Sequence, residues 1–187
     1  EFKSALLIAG YDTDDDGEIQ VSEALSVTNL NLTIPSVADV TGIESFQNAQ
    51  SIYLRGSVLL ETVTMNNMPN LKSLNLDQNE LTSVNLSNMP AIDSLSLAFN
   101  YALASLDVST LPNLKSLDAS GAELSSLDIS TCAQLKKLHL ANNQMSMSGL
   151  ILPPVNVIED LVLLTNNDQT IDLSLFPMLK RVDIRRN

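Results

Sequence analysis

Apolar and polar positions alternate in short bursts that return at a near-constant interval. The clearest burst sets Leu71, Leu74 and Leu76 against Ser73, Asn75 and Asp77. Period-two alternation of this kind marks a short strand with one buried face. The pair Leu74/Leu76 recurs as Ile52/Leu54, Leu95/Leu97, Leu117/Ala119, Leu138/Leu140, Leu161/Leu163 and Val182/Ile184, with Leu30/Leu32 as the opening copy. Successive copies lie 21 to 23 residues apart. A second apolar pair follows in most units, as Val63/Met65, Val84/Leu86, Leu106/Val108, Leu127/Ile129 and Ile171/Leu173. Its alternation predicts an extended return on the opposite side, because a unit this short has no room for a long helix.

The full unit reads Leu71-x-x-Leu74-x-Leu76-x-x-Asn79-x-Leu81. Its length and spacing match a leucine-rich repeat. A single copy cannot bury its own apolar face, so copies must stack into a solenoid. The expected fold is a mainly β or α/β solenoid: a right-handed superhelix with a curved parallel sheet of about eight strands and extended convex segments. At about 4.8 Å per strand the sheet would run roughly 34 Å. Residues 27–187 form the repeat array, and residues 1–26 a small helical cap.

Asn79, Asn100, Asn143, Asn166 and Asn187 share one repeat position and predict an asparagine ladder satisfying loop backbone, interrupted at Ser57 and Ala122. Met68, Met89, Leu111, Cys132, Val155 and Phe176 share another, apolar in every copy, which places the lone cysteine in the core. Extra residues fall near Tyr101-Ala102 and within Ser146-Met147-Ser148-Gly149, and insertions in repeats map to loops. Asp168 stands where Leu81 stands in the clearest copy. An unpaired buried carboxylate is costly, so Asp168 is expected to turn outward.

Composition narrows the function. The net charge is -12, and residues 1–54 carry nine acids against one base, Lys3. Nucleic acid is thereby disfavoured as a partner, since its affinity rests on basic residues meeting phosphates. No apolar run is long enough to span a membrane. One cysteine forms no internal disulfide, so cysteine usage leaves the compartment open. The chain opens at Glu1-Phe2-Lys3 without a visible signal peptide, which suits a mature chain or a cytosolic one.

The acidic N-terminus has a pattern of its own. Residues Asp12 to Glu23 satisfy every position of the calcium loop D-x-[DN]-x-[DN]-G-x5-E. Asp12, Asp14 and Asp16 would offer carboxylate oxygens, Glu18 its backbone carbonyl, Gln20 a bridging water and Glu23 both oxygens, with Gly17 at the sharp turn. A short helix over Phe2–Ile8 and an exit stub over Val21–Leu25 would flank it. With one loop and no paired partner, calcium is expected to be a structural cofactor that orders the cap over the first repeat.

The residues alternating with the core leucines line the concave face. Candidate partner-binding residues are Tyr53, Arg55, Asn75, Asp77, Asp118, Lys137, His139, Arg181, Asp183 and Arg185, against the alternative of a plain solvated sheet. Val162 and Leu164 also point outward on this alternation. Two readings stay open for them: a contact patch, or a register shifted by Pro153-Pro154. His139 is the only imidazole, and Ser116, Asp118 and Asp160 are its predicted neighbours. An open sheet supplies neither oxyanion hole nor water exclusion, so no enzymatic activity is expected.

On these units, and on Leu106-Asp107-Val108-Ser109, residues 27–187 resemble bacterial cell-envelope leucine-rich repeat proteins, in the broad neighbourhood of the internalins. The loop from Asp12 to Glu23 leading into Thr41-Gly42-Ile43-Glu44-Ser45-Phe46 is similar to the lead-in segment of such secreted proteins. Internalin convex faces tend toward 3-10 helix, whereas this sequence predicts extended segments there. The resemblance implies a noncatalytic protein-recognition module, extracellular or on a bacterial cell surface. The alternative is a glycan-binding or targeting module of a larger secreted enzyme system. Tyr53 is the one clear aromatic of the concave face, which disfavours glycans. Oligomeric state is left open.

Overall fold

The computed structural model describes residues 1–167 and 171–187; Asp168, expected to turn outward, lies outside the described residues. Each repeat contributes one strand to a parallel sheet of eight, formed by Asn29–Thr33, Ser51–Arg55, Ser73–Asn75, Ser94–Ser96, Ser116–Asp118, Lys137–His139, Asp160–Val162 and Arg181–Asp183 in chain order. Core leucines stack in register across it: Leu30 opposes Ile52, Ile52 opposes Leu74, and so on to Leu161 against Val182. From Leu30 to Leu161 these positions are buried, while Val182 on the outer strand is 42% exposed. The fold is therefore a parallel β-solenoid with one continuous apolar spine.

Extended returns form on the convex side, where Thr62–Asn66 pairs in parallel with Ser83–Ser87 and Leu127–Asp128 with Leu150–Ile151. Short 3-10 turns occur at Ile43–Ser45, Met147–Gly149 and Leu173–Leu175. Leu173 thus departs from the extended pair expected with Ile171. The Asp172 carboxylate accepts both the Ser174 N–H (2.9 Å) and its hydroxyl (2.6 Å), a local bond that closes the turn in place of a strand.

Two backbone columns run the length of the solenoid. The asparagine ladder forms as expected: Asn100 Nδ2 donates to Leu76 O and Leu97 O, and Asn100 Oδ1 accepts from Leu81 N. Asn79, Asn143 and Asn166 bridge turns in the same way. Where Ser57 interrupts the ladder, its hydroxyl donates to Val37 O at 2.6 Å and accepts from Leu59 N at 3.1 Å. The residue just before each ladder position is left-handed: Gly56, Gln78, Phe99, Gly121, Asn142, Thr165 and Arg186 all have positive φ. In that conformation the N–H groups of all but Arg186, in the last turn, reach the next turn, as from Gln78 to Ala98 O (2.8 Å) and from Phe99 to Ser120 O (2.7 Å). These bonds offset the steric cost a side chain meets there.

The apolar slot of Met68, Met89, Leu111 and Cys132 is buried, but Val155 does not fill it. Val155 is 72% exposed, and Asn156 turns inward instead, its Nδ2 donating to Leu175 O (2.9 Å) and its Oδ1 accepting from Ile158 N (2.9 Å). Pro153 and Pro154 fix the local chain path and displace the slot. The sheet register survives this, since Asp160, Leu161 and Val162 pair with Lys137, Leu138 and His139 without a slip. Val162 and Leu164 are accordingly concave-face residues, both half-buried.

Helices over Phe2–Ile8 and Val21–Ser26 close the N-terminal end, and Phe2, Leu6 and Ala24 join the core. Tyr11 covers the first strand: its hydroxyl accepts from Asn31 N (3.0 Å) and donates to Asn29 O (3.4 Å), while its ring meets Phe46 edge-on at 6.5 Å. An otherwise open strand edge is thereby occupied.

Candidate functional site

The acidic loop folds on its own side chains. Gly17 adopts φ +84 and donates its N–H to Asp12 Oδ2 at 2.9 Å, and Asp15 is left-handed as well. Asp14 Oδ1 accepts from Asp16 N and Asp16 Oδ1 from Glu18 N. This winding brings one oxygen each of Asp12, Asp14 and Asp16 within 4.8 Å of one another. The donor set is all oxygen and of one sign, which suits a hard divalent cation. Asp12 Oδ1 and Gln20 Oε1 are buried without a hydrogen-bond partner among the described residues, two acceptors left over by the bonding within the loop.

The other predicted ligands are placed differently. Glu23 is buried at the start of the exit helix, where its Oε1 accepts from the Thr13 hydroxyl (2.8 Å) and backbone N–H, and its Oε2 from Gln20 N (3.0 Å). The Thr13 N–H, then the Thr13 hydroxyl, hold its carboxyl below the usual range. Glu23 therefore clamps the two ends of the loop together. Gln20 Nε2 donates to Asp16 Oδ2 (2.6 Å), and the Glu18 side chain turns out to Lys3 (2.6 Å), leaving the Glu18 backbone carbonyl as its contribution.

On the concave face the predicted residues share one surface but not one role. Asp77 is internally committed: Oδ1 accepts from the Ser96 hydroxyl (2.6 Å) and Ala98 N (2.9 Å), and Oδ2 from Asn75 Nδ2 (2.7 Å). Asp77 thus ties its turn to the next, and Asn75 holds Asp77 in place. Ala98 and Ala141 are buried although the alternation faces them outward. Tyr53, Arg55 and Lys137 are exposed, and neither Arg55 nor Lys137 forms an ion pair among the described residues.

A charged ladder occupies the far end. His139 lies between two carboxylates, Nδ1 3.7 Å from Asp118 Oδ2 and Nε2 3.3 Å from Asp160 Oδ2. Arg181 reaches Asp160 at 3.1 Å, and Arg185 grips Asp183 with Nε at 2.9 Å and Nη2 at 2.6 Å. The hydrogen bonds from Arg185 bring the Asp183 carboxyl down to about 2. Beside these strands, Glu159 takes Lys180 (2.6 Å) and Lys136 (3.0 Å). The lysine and arginine members are exposed and solvent-screened, so each of their pairs contributes little stability individually. The arginines, lysines and carboxylates present charges of both signs to whatever meets the sheet.

A family model described as the leucine-rich repeat domain of endo-beta-N-acetylglucosaminidase EndoS matches residues 20–122. No curated protein matches the chain. Among solved structures, the functional domain of InlJ from Listeria monocytogenes is similar over 98% of this chain at 19% identity and a TM-score of 0.45. The chain spans 50% of that domain. The internalin InlF from Listeria monocytogenes is similar over 99% of this chain and 95% of its own, at 14% identity and a TM-score of 0.31. Among the described residues no helix is long and apolar enough to cross a membrane.

Proposed function

We propose, from the premise that this chain belongs to the leucine-rich repeat domain family of EndoS, that it is a noncatalytic module which recognises a protein partner through its concave sheet. A stacked-repeat sheet is a rigid, extended scaffold whose variable positions are free to specify a ligand. The observation that carries the reading is the exposure of Tyr53, Arg55 and Lys137 without internal partners among the described residues, beside Asn75, Asp77 and Asp118, which are held by hydrogen bonds within the solenoid. The sheet backbone that carries them is preorganised, while ordering the free Arg55 and Lys137 side chains costs about 0.5–1.5 kcal/mol each on binding.

Calcium is proposed as a structural cofactor of the cap. Asp12, Asp14 and Asp16 would hold it, with the Glu18 carbonyl, Gln20 and Glu23 completing the loop pattern. The leftover acceptors on Asp12 and Gln20 support this. A bacterial extracellular or cell-surface setting, where the ion is plentiful, fits the same reading. The second reading, a targeting module attached to a secreted glycan-processing enzyme, draws on the description of the matching family.

Surface-immobilised protein offered purified extracellular proteins and, separately, polysaccharides tests the recognition reading. Binding to a protein that falls when Tyr53, Arg55 and Lys137 are replaced by alanine, with the melting temperature unchanged, supports it. Binding to polysaccharides alone, or binding indifferent to the three substitutions, overturns it.

A further inference from the structure

A second surface, outside the concave sheet, carries a more specific chemistry. Phe99 and Tyr101 stand on the loop edge just beyond the strand Ser94–Ser96, with ring centroids 6.3 Å apart and ring planes inclined by 55°. They are 41% and 62% exposed. Together with Val58, Gln78 and Glu80 they line a shallow cavity of about 290 Å³ that spans three successive turns. Among the described residues no lysine or arginine lines it.

Nothing in the fold requires aromatic rings here. The position of Phe99 is filled by Gly56, Gln78, Gly121 and Asn142 in other turns, all left-handed. A phenylalanine at φ +62 meets a steric cost in its backbone that glycine avoids. Its ring is seated over Gly121, where an added Cβ would lie 3.1 Å from Phe99 Cδ1. Tyr101 stands in the extra-residue segment of this repeat. Glu80 occupies the corresponding place in the preceding turn, and Glu123 in the following one, where its N–H donates to Leu103 O (3.0 Å). Both carboxylates are exposed and form no ion pair among the described residues.

From this placement we infer that the Phe99–Tyr101 edge, flanked by Glu80 and Glu123, is a docking site for a basic side chain, arginine or lysine, of a protein partner. The rings offer their negative faces to a cation, and two unpaired carboxylates add charge complementarity in a chain of net charge -12. A sugar would find an inclined pair of rings in place of a flat stacking platform. The inference rests on the protein-recognition reading but uses a different surface.

The test titrates a blocked glycyl-arginyl-glycine amide into the calcium-supplemented full chain while the ring resonances of Phe99 and Tyr101 are followed by NMR. The citrulline analogue, chitotriose and maltotriose run in parallel. The expected result is saturable perturbation of both rings by the arginine peptide, weakening with salt and absent with citrulline. Tyr101→Ala should weaken binding roughly 2- to 30-fold. Glu80→Gln and Glu123→Gln should each weaken it as well, with the far-UV dichroism and melting temperature of all variants unchanged. No response to the arginine peptide, equal response to citrulline, or response only to the sugars overturns the inference. Arg55→Ala and Lys137→Ala should leave this titration unaltered, so failure here and failure of the concave-face reading are told apart.

Discussion

The side-chain oxygen of Asn100 accepts the backbone N–H of Leu81, one turn earlier, at 3.2 Å in the dry interior of the solenoid. The same amide donates to Leu76 O (3.0 Å) and Leu97 O (2.7 Å), so one residue satisfies backbone groups of two turns. Asn100→Ala should therefore cost more than an ordinary surface substitution. Buried donors and acceptors left unpaired cost about 1–3 kcal/mol each, partly relieved by water, and a net loss of about 2–4 kcal/mol is expected. Urea unfolding of wild type and variant measures it; a change below about 1 kcal/mol would show the ladder to be dispensable.

Calcium should raise the melting temperature and chelator should lower it. Asp12→Asn should abolish most of the calcium-dependent increment, because Asp12 carries the leftover buried oxygen. Glu23→Gln should also lower stability without the ion, since Glu23 bridges Thr13 and Gln20. Melts monitored by circular dichroism with and without calcium decide this, and superimposable wild-type curves would eliminate the ion.

Gly121→Ala should be destabilising on two counts, its φ of +69 and the Phe99 ring 3.1 Å from the new methyl group. A loss of about 1 kcal/mol or more is expected from the backbone alone. In a Phe99→Ala background the steric part should vanish while the conformational part persists. A double-mutant cycle by denaturant unfolding separates them, with strict additivity counting against contact between the two residues.

Asp183 should titrate near 2, held down first by the hydrogen bonds from Arg185. A carboxyl lowered in the folded state contributes stability above its unfolded value of about 3.9, lost as the pH falls through about 2. Carboxyl-carbon NMR should follow this, and Arg185→Ala should return the titration toward the ordinary aspartate range. An unchanged midpoint in the variant would place the cause elsewhere.

Cys132 is fully buried, its Sγ 3.7 Å from Leu111 O, and burial raises its thiol above the ordinary range. Since the thiolate is the reactive form, labelling by a disulfide reagent should proceed only through unfolding. Labelling rates should track urea concentration; rapid labelling of the native chain would contradict the burial.

Much of this architecture was legible because the core demands the same residue type at the same place in every turn. Leu74, Leu95, Leu117 and Leu138 announce both a strand and its register, and Asn79, Asn100 and Asn143 announce the ladder, since few other side chains can donate and accept there. The left-handed column was not legible. Gln78, Phe99, Gly121 and Thr165 share a backbone conformation but no side-chain chemistry. Val155 misled for a related reason: an apolar residue at the right count fell outside the core once two prolines redirected the chain. On the concave face, alternation placed Asp77 and Lys137 alike, and nothing in spacing distinguishes a carboxylate spent on Ser96 and Ala98 from an ammonium facing solvent.

By itself the sequence determined the stacking, the number of strands, the parallel register and the winding of an acidic loop, because these follow from local periodicity and from side chains acting on nearby backbone. The tertiary structure decided which polar groups remain free. Partners such as Ser96 for Asp77, Arg185 for Asp183 and Gly121 for Phe99 are settled by packing between turns, and the aromatic edge between Glu80 and Glu123 exists only once three turns are side by side.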